Sequence, residues 1–272
     1  MKVAIQGIKG SFHHIVAEQY FGKNIDLIEC LSFSEMPQLL HNKQAEVIIM
    51  AIENSIAGAI LPNYALIDDY KLTISGEHHL PIHHNLMASK GQKIEDIKEI
   101  YSHPMALLQC HNFFKDYPEI KLIEDKDTAV VAKRIQENGL LGIGAIASEL
   151  AAETYNLEIL ASGIQTIKEN ATRFFIITNS EDKSSVSANK ASIKFITSDK
   201  TGSLAEVLTI LAEHDLNLSK IQSMPVIETP WKYAFFADFT FNKYGDYYNA
   251  INKVKEKVEM LQILGEYNKG KR

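Results

Sequence analysis

EVIIMAIEN, residues 46–54, decides the fold. Val47 to Ile52 are apolar without interruption, the pattern of a strand covered on both faces rather than one with a wet side. Such a strand needs helices packed above and below it, and the flanking sequence supplies them. VAIQG (3–7) reads as a short buried strand entering a glycine turn, and SFHHIVAEQYFG (11–22) as a helix with Ser11 as N-cap and Gly22 as stop. IDLIECLSF (25–33) is a second strand and SEMPQLLHNK (34–43) a helix opened by Ser34. Downstream, SHPMALLQCHNFFKDY (102–117) reads as a helix, KLIED (121–125) as a strand and DTAVVAKRIQEN (127–138) as a helix. LLGIGAI (140–146) and ASELAAETYN (147–156) repeat the alternation. Strands alternating with helices give an α/β class.

A polar run, NSEDKSSVSANK (179–190), then breaks the pattern and reads as a linker. Beyond it lie strand ASIKFITS (191–198), helix SLAEVLTILAEH (203–214), strands NLSKIQSMPVI (217–227) and WKYAFFADFTF (231–241), helix GDYYNAINKVKEK (245–257) and strand MLQILGEY (260–267). That βαββαβ order is a ferredoxin-like unit, and Leu204, Val207, Leu208 and Leu211 line one face of its first helix. The expected division is 1–178, a linker at 179–190, and 191–272.

Composition narrows the function. At 272 residues, 46% hydrophobic and 23% charged, the chain has the make-up of a soluble globular protein. Its formal charge of −6 argues against nonspecific nucleic-acid binding, which needs a basic face. No apolar run approaches the roughly 20 residues of a membrane span, and MKVAIQGIKG is not patterned as a signal peptide. Cys30 and Cys110 stand alone, so neither a disulfide framework nor a thiolate metal cluster is expected. The expectation is a reduced, cytoplasmic protein without partners among membranes or nucleic acids.

Several stretches could carry chemistry. Glu53, Asn54 and Ser55 leave the carboxyl end of the buried strand, where α/β sheets bind ligands, although Asn and Ser also suit a plain turn. Ser102 and Gln109 are seven residues apart, so on one helix they would share a face; Ser102 would equally serve as a cap. His78, His79, His83 and His84 crowd into EHHLPIHH (77–84), but Pro81 bars a helix there and no HExxH spacing is present, so no metal is expected. NGLLGIGAIA (138–147) lacks the GxGxxG fingerprint, so it gives only weak support to a dinucleotide site. Finally, KENATRFFII (168–177) places Arg173, one of three arginines in the chain, where a polar loop enters an apolar strand. Its guanidinium could pair with a neighbouring carboxylate or grip an anionic substrate in a fork that lysine cannot make; the residues alone leave both open.

Taken in order, these pieces resemble the prephenate dehydratase family. GIKGSF (7–12), ENSIAG (53–58), GEHHLPIHH (76–84), SHPMALLQC (102–110), DTAVVA (127–132), AIASELAAETYNL (145–157) and NATRF (170–174) follow the family's succession of motifs across essentially the whole chain. The C-terminal unit resembles an ACT domain, with GSL (202–204) for GAL and QSMP (222–225) for ESRP. The resemblance implies a two-lobed, periplasmic-binding-protein-like catalytic domain, its second lobe near 78–160, followed by the ferredoxin-like ACT domain. It implies dehydration and decarboxylation of prephenate to phenylpyruvate without a cofactor, in a homodimer or homotetramer. Thr172 would act on the leaving hydroxide, with Glu53, Asn54, Ser55, Ser102 and Gln109 as the catalytic network. Arg173, Phe174, Ser11 and Asn170 would bind substrate. Gly202, Ser203, Leu204, Asn217, Leu218, Gln222, Ser223 and Pro225 would hold an effector, L-phenylalanine, at an interface between copies. The chain departs from the family at Ser11, usually Thr, at His13 and Asp127, usually Ser, and at Met105, usually Gln. Two rivals remain at this point: a non-catalytic amino-acid sensor and an arogenate dehydratase.

Overall fold

The computed structural model describes residues 1–179, 187–226 and 229–271; most of the expected linker lies outside them. The chain divides into two compact units, Met1–Gly58 with His79–Phe174, and Ala59–His78 with Phe175–Arg272.

The first part of the chain forms β1 (Lys2–Gln6), α1 (Phe12–Phe21), β2 (Asp26–Cys30), α2 (Met36–His41), β3 (Val47–Asn54), the short β4 (Gly58–Ala59), α3 (Leu61–Asp69) and β5 (Thr73–Pro81). β1 pairs in parallel with both β2 and β3, the pairing that helical crossovers require. Val47 to Ile52 are buried throughout, as a strand covered on both faces must be. The helix expected from Ser34 begins later. Ser32 donates to Glu35 Oε1 (2.8 Å) within a 3₁₀ turn, and Pro37, which lacks an N–H, occupies the first turn of an α2 that opens at Met36.

A second lobe follows: β6 (Asn85–Ala88), β7 (Glu99–Ser102), α4 (Pro104–Cys110), β8 (Lys121–Glu124), α5 (Thr128–Asn138), β9 (Ile143–Ala147), α6 (Glu149–Thr154) and β10 (Glu158–Ala161). Its sheet has the order β10-β6-β9-β7-β8. The helix expected over 102–117 is only α4. His103, not Ser102, caps it by accepting the Met105 N–H at Nδ1 (3.2 Å), and a 3₁₀ turn at Phe113–Asp116 then seats Phe114 in the core. β11 (Ala171–Thr178) returns the chain to the first sheet, whose order is β2-β1-β3-β11-β5 with β4 beside β3. The chain therefore passes between the sheets twice, near 82–84 and near 162–170. The Ile82 N–H bonds the Asn170 carbonyl (2.8 Å), which fastens one crossing to the other.

The C-terminal unit is β12 (Lys190–Ile196), α7 (Ser203–Glu213), β13 (Asn217–Pro225), β14 (Tyr233–Thr240), α8 (Tyr244–Lys257) and β15 (Met260–Tyr267). Its antiparallel order β13-β14-β12-β15 is the ferredoxin-like arrangement expected. Ile193, Phe195, Val207, Leu211, Phe239 and Val254 join its core. Within the same compact unit Lys190 and Glu77 form a fully buried ion pair (2.7 and 2.9 Å), and Tyr64 of α3 rests on Phe236 with ring centroids 5.1 Å apart.

Candidate active site

β3 and β11 end side by side, and alternation along each strand sorts their side chains. Asn54 and Thr172 meet on one face, and Glu53 and Arg173 on the other. The Ser55 N–H bonds the Ala171 carbonyl (2.8 Å) and the Ala171 N–H bonds Ser55 Oγ (3.0 Å), so Ser55 locks the strand ends together. Arg173 is buried, with Nη1 3.9 Å from Glu53 Oε2.

The orientation of Asn54 follows from its neighbours. Its Oδ1 accepts the backbone N–H groups of Ile56 (3.0 Å) and Ala57 (2.9 Å), which fixes which end of the amide is oxygen. Nδ2 must then point inward, where it donates to Thr172 Oγ1 (3.0 Å), Asn170 Oδ1 (2.8 Å) and the Ala171 carbonyl (3.3 Å). Asn170, buried, is oriented in turn and donates its Nδ2 to Gln109 Oε1 (2.8 Å). Gln109 Oε1 also faces His84 Nε2 at 3.0 Å. Direction thus runs from two turn amides through Asn54 and Asn170 to Gln109. Since Asn54 fills a lone pair of Thr172, the Thr172 hydroxyl keeps its own hydrogen to donate.

Phe174 lies on the Thr172 face and packs edge-on against His13, centroids 4.9 Å apart. Burial holds the His13 pKa down at about 3, so the ring is neutral; its Nε2 accepts the Ala51 N–H (3.4 Å). Phe174 is therefore built into the core beneath Thr172.

Ser11 caps α1, accepting the His14 N–H at Oγ (3.2 Å). This helix start meets the second lobe closely. Gly10, at φ +86°, has no room for a side chain: a Cβ there would lie 2.8 Å from Ala151 Cα. Ser148 bonds the Gly10 carbonyl, and the Tyr155 hydroxyl bonds the Lys9 carbonyl (2.8 Å). A Cβ on Gly7 would stand 3.2 Å from Asp127 Oδ2. Asp127 caps α5 through Oδ1 (2.8 and 3.0 Å), and burial raises its pKa against the lowering pull of those two N–H groups.

Thr172, Asn54, Asn170, Gln109 and Ser55 are brought together; Ser102 is not among them. It is the last residue of β7 rather than part of α4, so helical spacing to Gln109 does not apply. It is fully buried and donates to the Ile146 carbonyl (2.7 Å). His84 is the member that the sequence hid, because four clustered histidines invite a metal reading while one of them completes an amide chain. Its signal was position: it is the last residue of the first crossing between the sheets.

In the C-terminal unit a cavity of about 470 Å³ opens beside Gly202, Ser203 and Leu204, with Tyr233 and Phe235 on its wall. Those two pair in register with Pro225 and Ser223. A bulge at Ser219 re-phases β13. Leu218, Ser223 and Pro225 consequently take the helix-covered face, whereas Asn217 and Gln222 take the other.

Residues 3–182 match the family model of prephenate dehydratase, and residues 191–243 match that of the ACT domain. Over 271 residues the chain is 34% identical to the bifunctional chorismate mutase/prephenate dehydratase of Aquifex aeolicus, spanning 99% of this chain and 74% of that protein. Among solved structures, a quorum-quenching acylase superposes with a TM-score of 0.89 at 26% identity, over 99% of this chain and 98% of that one. A prephenate dehydratase from Arthrobacter aurescens, solved in complex with L-Phe, superposes with a TM-score of 0.88 at 24% identity, over 98% of this chain and 90% of that one. No helix among the described residues is long and apolar enough to cross a membrane.

Proposed function

The chain belongs to the prephenate dehydratase family and carries an ACT domain, and from that premise we propose that it converts prephenate to phenylpyruvate as a cytoplasmic carbon–oxygen lyase. The ring carboxylate departs as CO₂; its bonding electrons enter the ring and expel hydroxide from the opposite carbon, which takes a proton and leaves as water. Aromaticity drives the step, so no strong base is required. The protein must hold a dianion and help hydroxide leave.

The observation that carries this reading is the Thr172 hydroxyl, which accepts from Asn54 Nδ2 at 3.0 Å and retains its own hydrogen for the leaving oxygen. A donor already receiving a hydrogen bond is the stronger donor, because the two polarise each other. Gln109, Asn170 and Asn54 hold that orientation. Arg173, kept at the strand end by Glu53, supplies the guanidinium for a substrate carboxylate. Positioned acid catalysis contributes roughly 10²–10⁴ in rate. Thr172→Ala should therefore lower kcat by about that factor with little change in KM. The assay is phenylpyruvate formation from prephenate, run beside phenylalanine formation from arogenate; a variant with near-normal kcat refutes the assignment.

We further infer regulation by L-phenylalanine at the cavity beside Gly202 to Leu204, completed between copies in a homodimer or homotetramer. The ligand of the Arthrobacter aurescens structure and the polar helix start next to aromatic Tyr233 and Phe235 support it.

A further inference from the structure

We propose that His84 is a positioning residue of this reaction, the far anchor that fixes the direction of the Gln109–Asn170–Asn54 amide chain and so the aim of the Thr172 hydroxyl. The inference rests on the dehydratase reading for its activity assay but on geometry for its basis. His84 is 4% exposed. Its backbone is gripped on both sides by the second crossing: its N–H donates to Gln165 Oε1 (3.0 Å), and its carbonyl accepts the Ile164 N–H (2.8 Å). The Phe12 ring stands edge-on to the imidazole at 5.6 Å.

Two facts set its protonation. The atom facing Nε2 is the same Gln109 oxygen that accepts from Asn170, so Nε2 must carry the hydrogen. Nδ1 has no hydrogen-bond partner. A protonated Nδ1 there would be a buried donor left unmade, whereas a bare nitrogen loses less. Burial lowers the pKa and the neighbouring His83 and His103 lower it further, against a rise from Gln109, which agrees with a neutral ring. A primary amide turned by half a turn is nearly the same shape, so packing alone cannot tell Gln109 which end faces Asn170. Asn170 Nδ2 calls for oxygen from one side, and the Nε2–H of His84, whose other tautomer would bury an unmade donor, holds that oxygen in place from the other. The chain is thus pinned at one end by the N–H groups of Ile56 and Ala57 and at the other by one imidazole.

The test compares His84→Gln, His84→Asn and His84→Leu, alone and with Gln109→Ala. The glutamine amide reaches the place of Nε2 and restores a donor; the asparagine amide stops near Nδ1 and does not. His84→Gln should keep kcat within about threefold of the parent, while His84→Asn and His84→Leu lower it about tenfold or more at nearly constant KM, the effect of one lost orienting hydrogen bond. In the Gln109→Ala background, His84→Leu should cost no further activity, because its influence passes through Gln109. Additive losses, equal losses in all three variants, or a normal kcat in His84→Leu would each overturn the proposal. Nitrogen chemical shifts of His84 in the unmodified protein give a readout independent of turnover: a hydrogen on Nε2 and a bare Nδ1 are expected, and the opposite tautomer refutes the anchor. A protein that shows this tautomer yet ignores prephenate would count against the dehydratase reading and leave the anchor standing.

Discussion

Replacing Asn54 by aspartate keeps the shape of the side chain and removes its only donor. In Asn54→Asp one carboxylate oxygen can still accept from Ile56 and Ala57 (3.0 and 2.9 Å), so the turn survives. The other oxygen now confronts Thr172 Oγ1, Asn170 Oδ1 and the Ala171 carbonyl, at the positions that Nδ2 contacted at 3.0, 2.8 and 3.3 Å. Thr172 relieves its own conflict by turning its hydroxyl hydrogen onto the carboxylate, which removes it from the leaving oxygen. Asn170 relieves its conflict by turning over, which obliges Gln109 to turn, and the His84 hydrogen then moves from Nε2 to Nδ1. The inversion ends in two groups that cannot adjust: the Ala171 carbonyl against a carboxylate, and a buried Nδ1–H with no partner. At about 1–3 kcal/mol for each of the two unsatisfied groups the fold should lose roughly 2–6 kcal/mol, or roughly 4–24 °C in Tm. kcat should fall by about 10²–10⁴ with KM changed less than about threefold. Steady-state turnover of prephenate, thermal unfolding and the His84 nitrogen shifts measure the three parts separately. A folded Asn54→Asp variant with kcat within threefold of the parent would refute the directional chain.

Other perturbations separate the remaining roles. Arg173→Lys loses the planar fork and should raise KM more than it lowers kcat; an unchanged KM would restrict Arg173 to its pairing with Glu53 at the strand end. Lys190→Met leaves Glu77 charged and buried, and should cost about 3–5 kcal/mol by denaturant unfolding, whereas the double change with Glu77→Gln should cost clearly less. Equal losses in the single and double variants would show that packing rather than charge is at stake. L-Phenylalanine near its Kd or above should raise Tm or lower prephenate turnover, and Gly202→Leu, which fills the cavity mouth and cannot readily hold φ +87°, should abolish both responses; no response in the unmodified protein refutes the effector site.

Sequence by itself determined the class of both units, because periodicity reports burial directly: Val47 to Ile52 had to be covered on both faces, and the amphipathic run at 203–214 had to pack on one. It also placed Thr172, Asn54 and Gln109 in one enzyme family through short motifs in a fixed order. What it could not determine were contacts between residues far apart in the chain, since periodicity is local. Asn54 and Thr172 are 118 residues apart and meet only because β11 returns beside β3. Ser102 and Gln109 looked like partners on a single helix, but a strand ends between them and Ser102 turns into the core. The bulge at Ser219 put Ser223 on the same face as Leu218, five residues away, where simple alternation in the sequence would have put them on opposite faces. His84 was one of four similar histidines until the two crossings were fastened side by side, for a donor's role depends on the acceptor placed opposite it. Burial is written in the periodicity of apolar residues; direction in a hydrogen-bond chain is decided only when the tertiary structure assigns each group its neighbour.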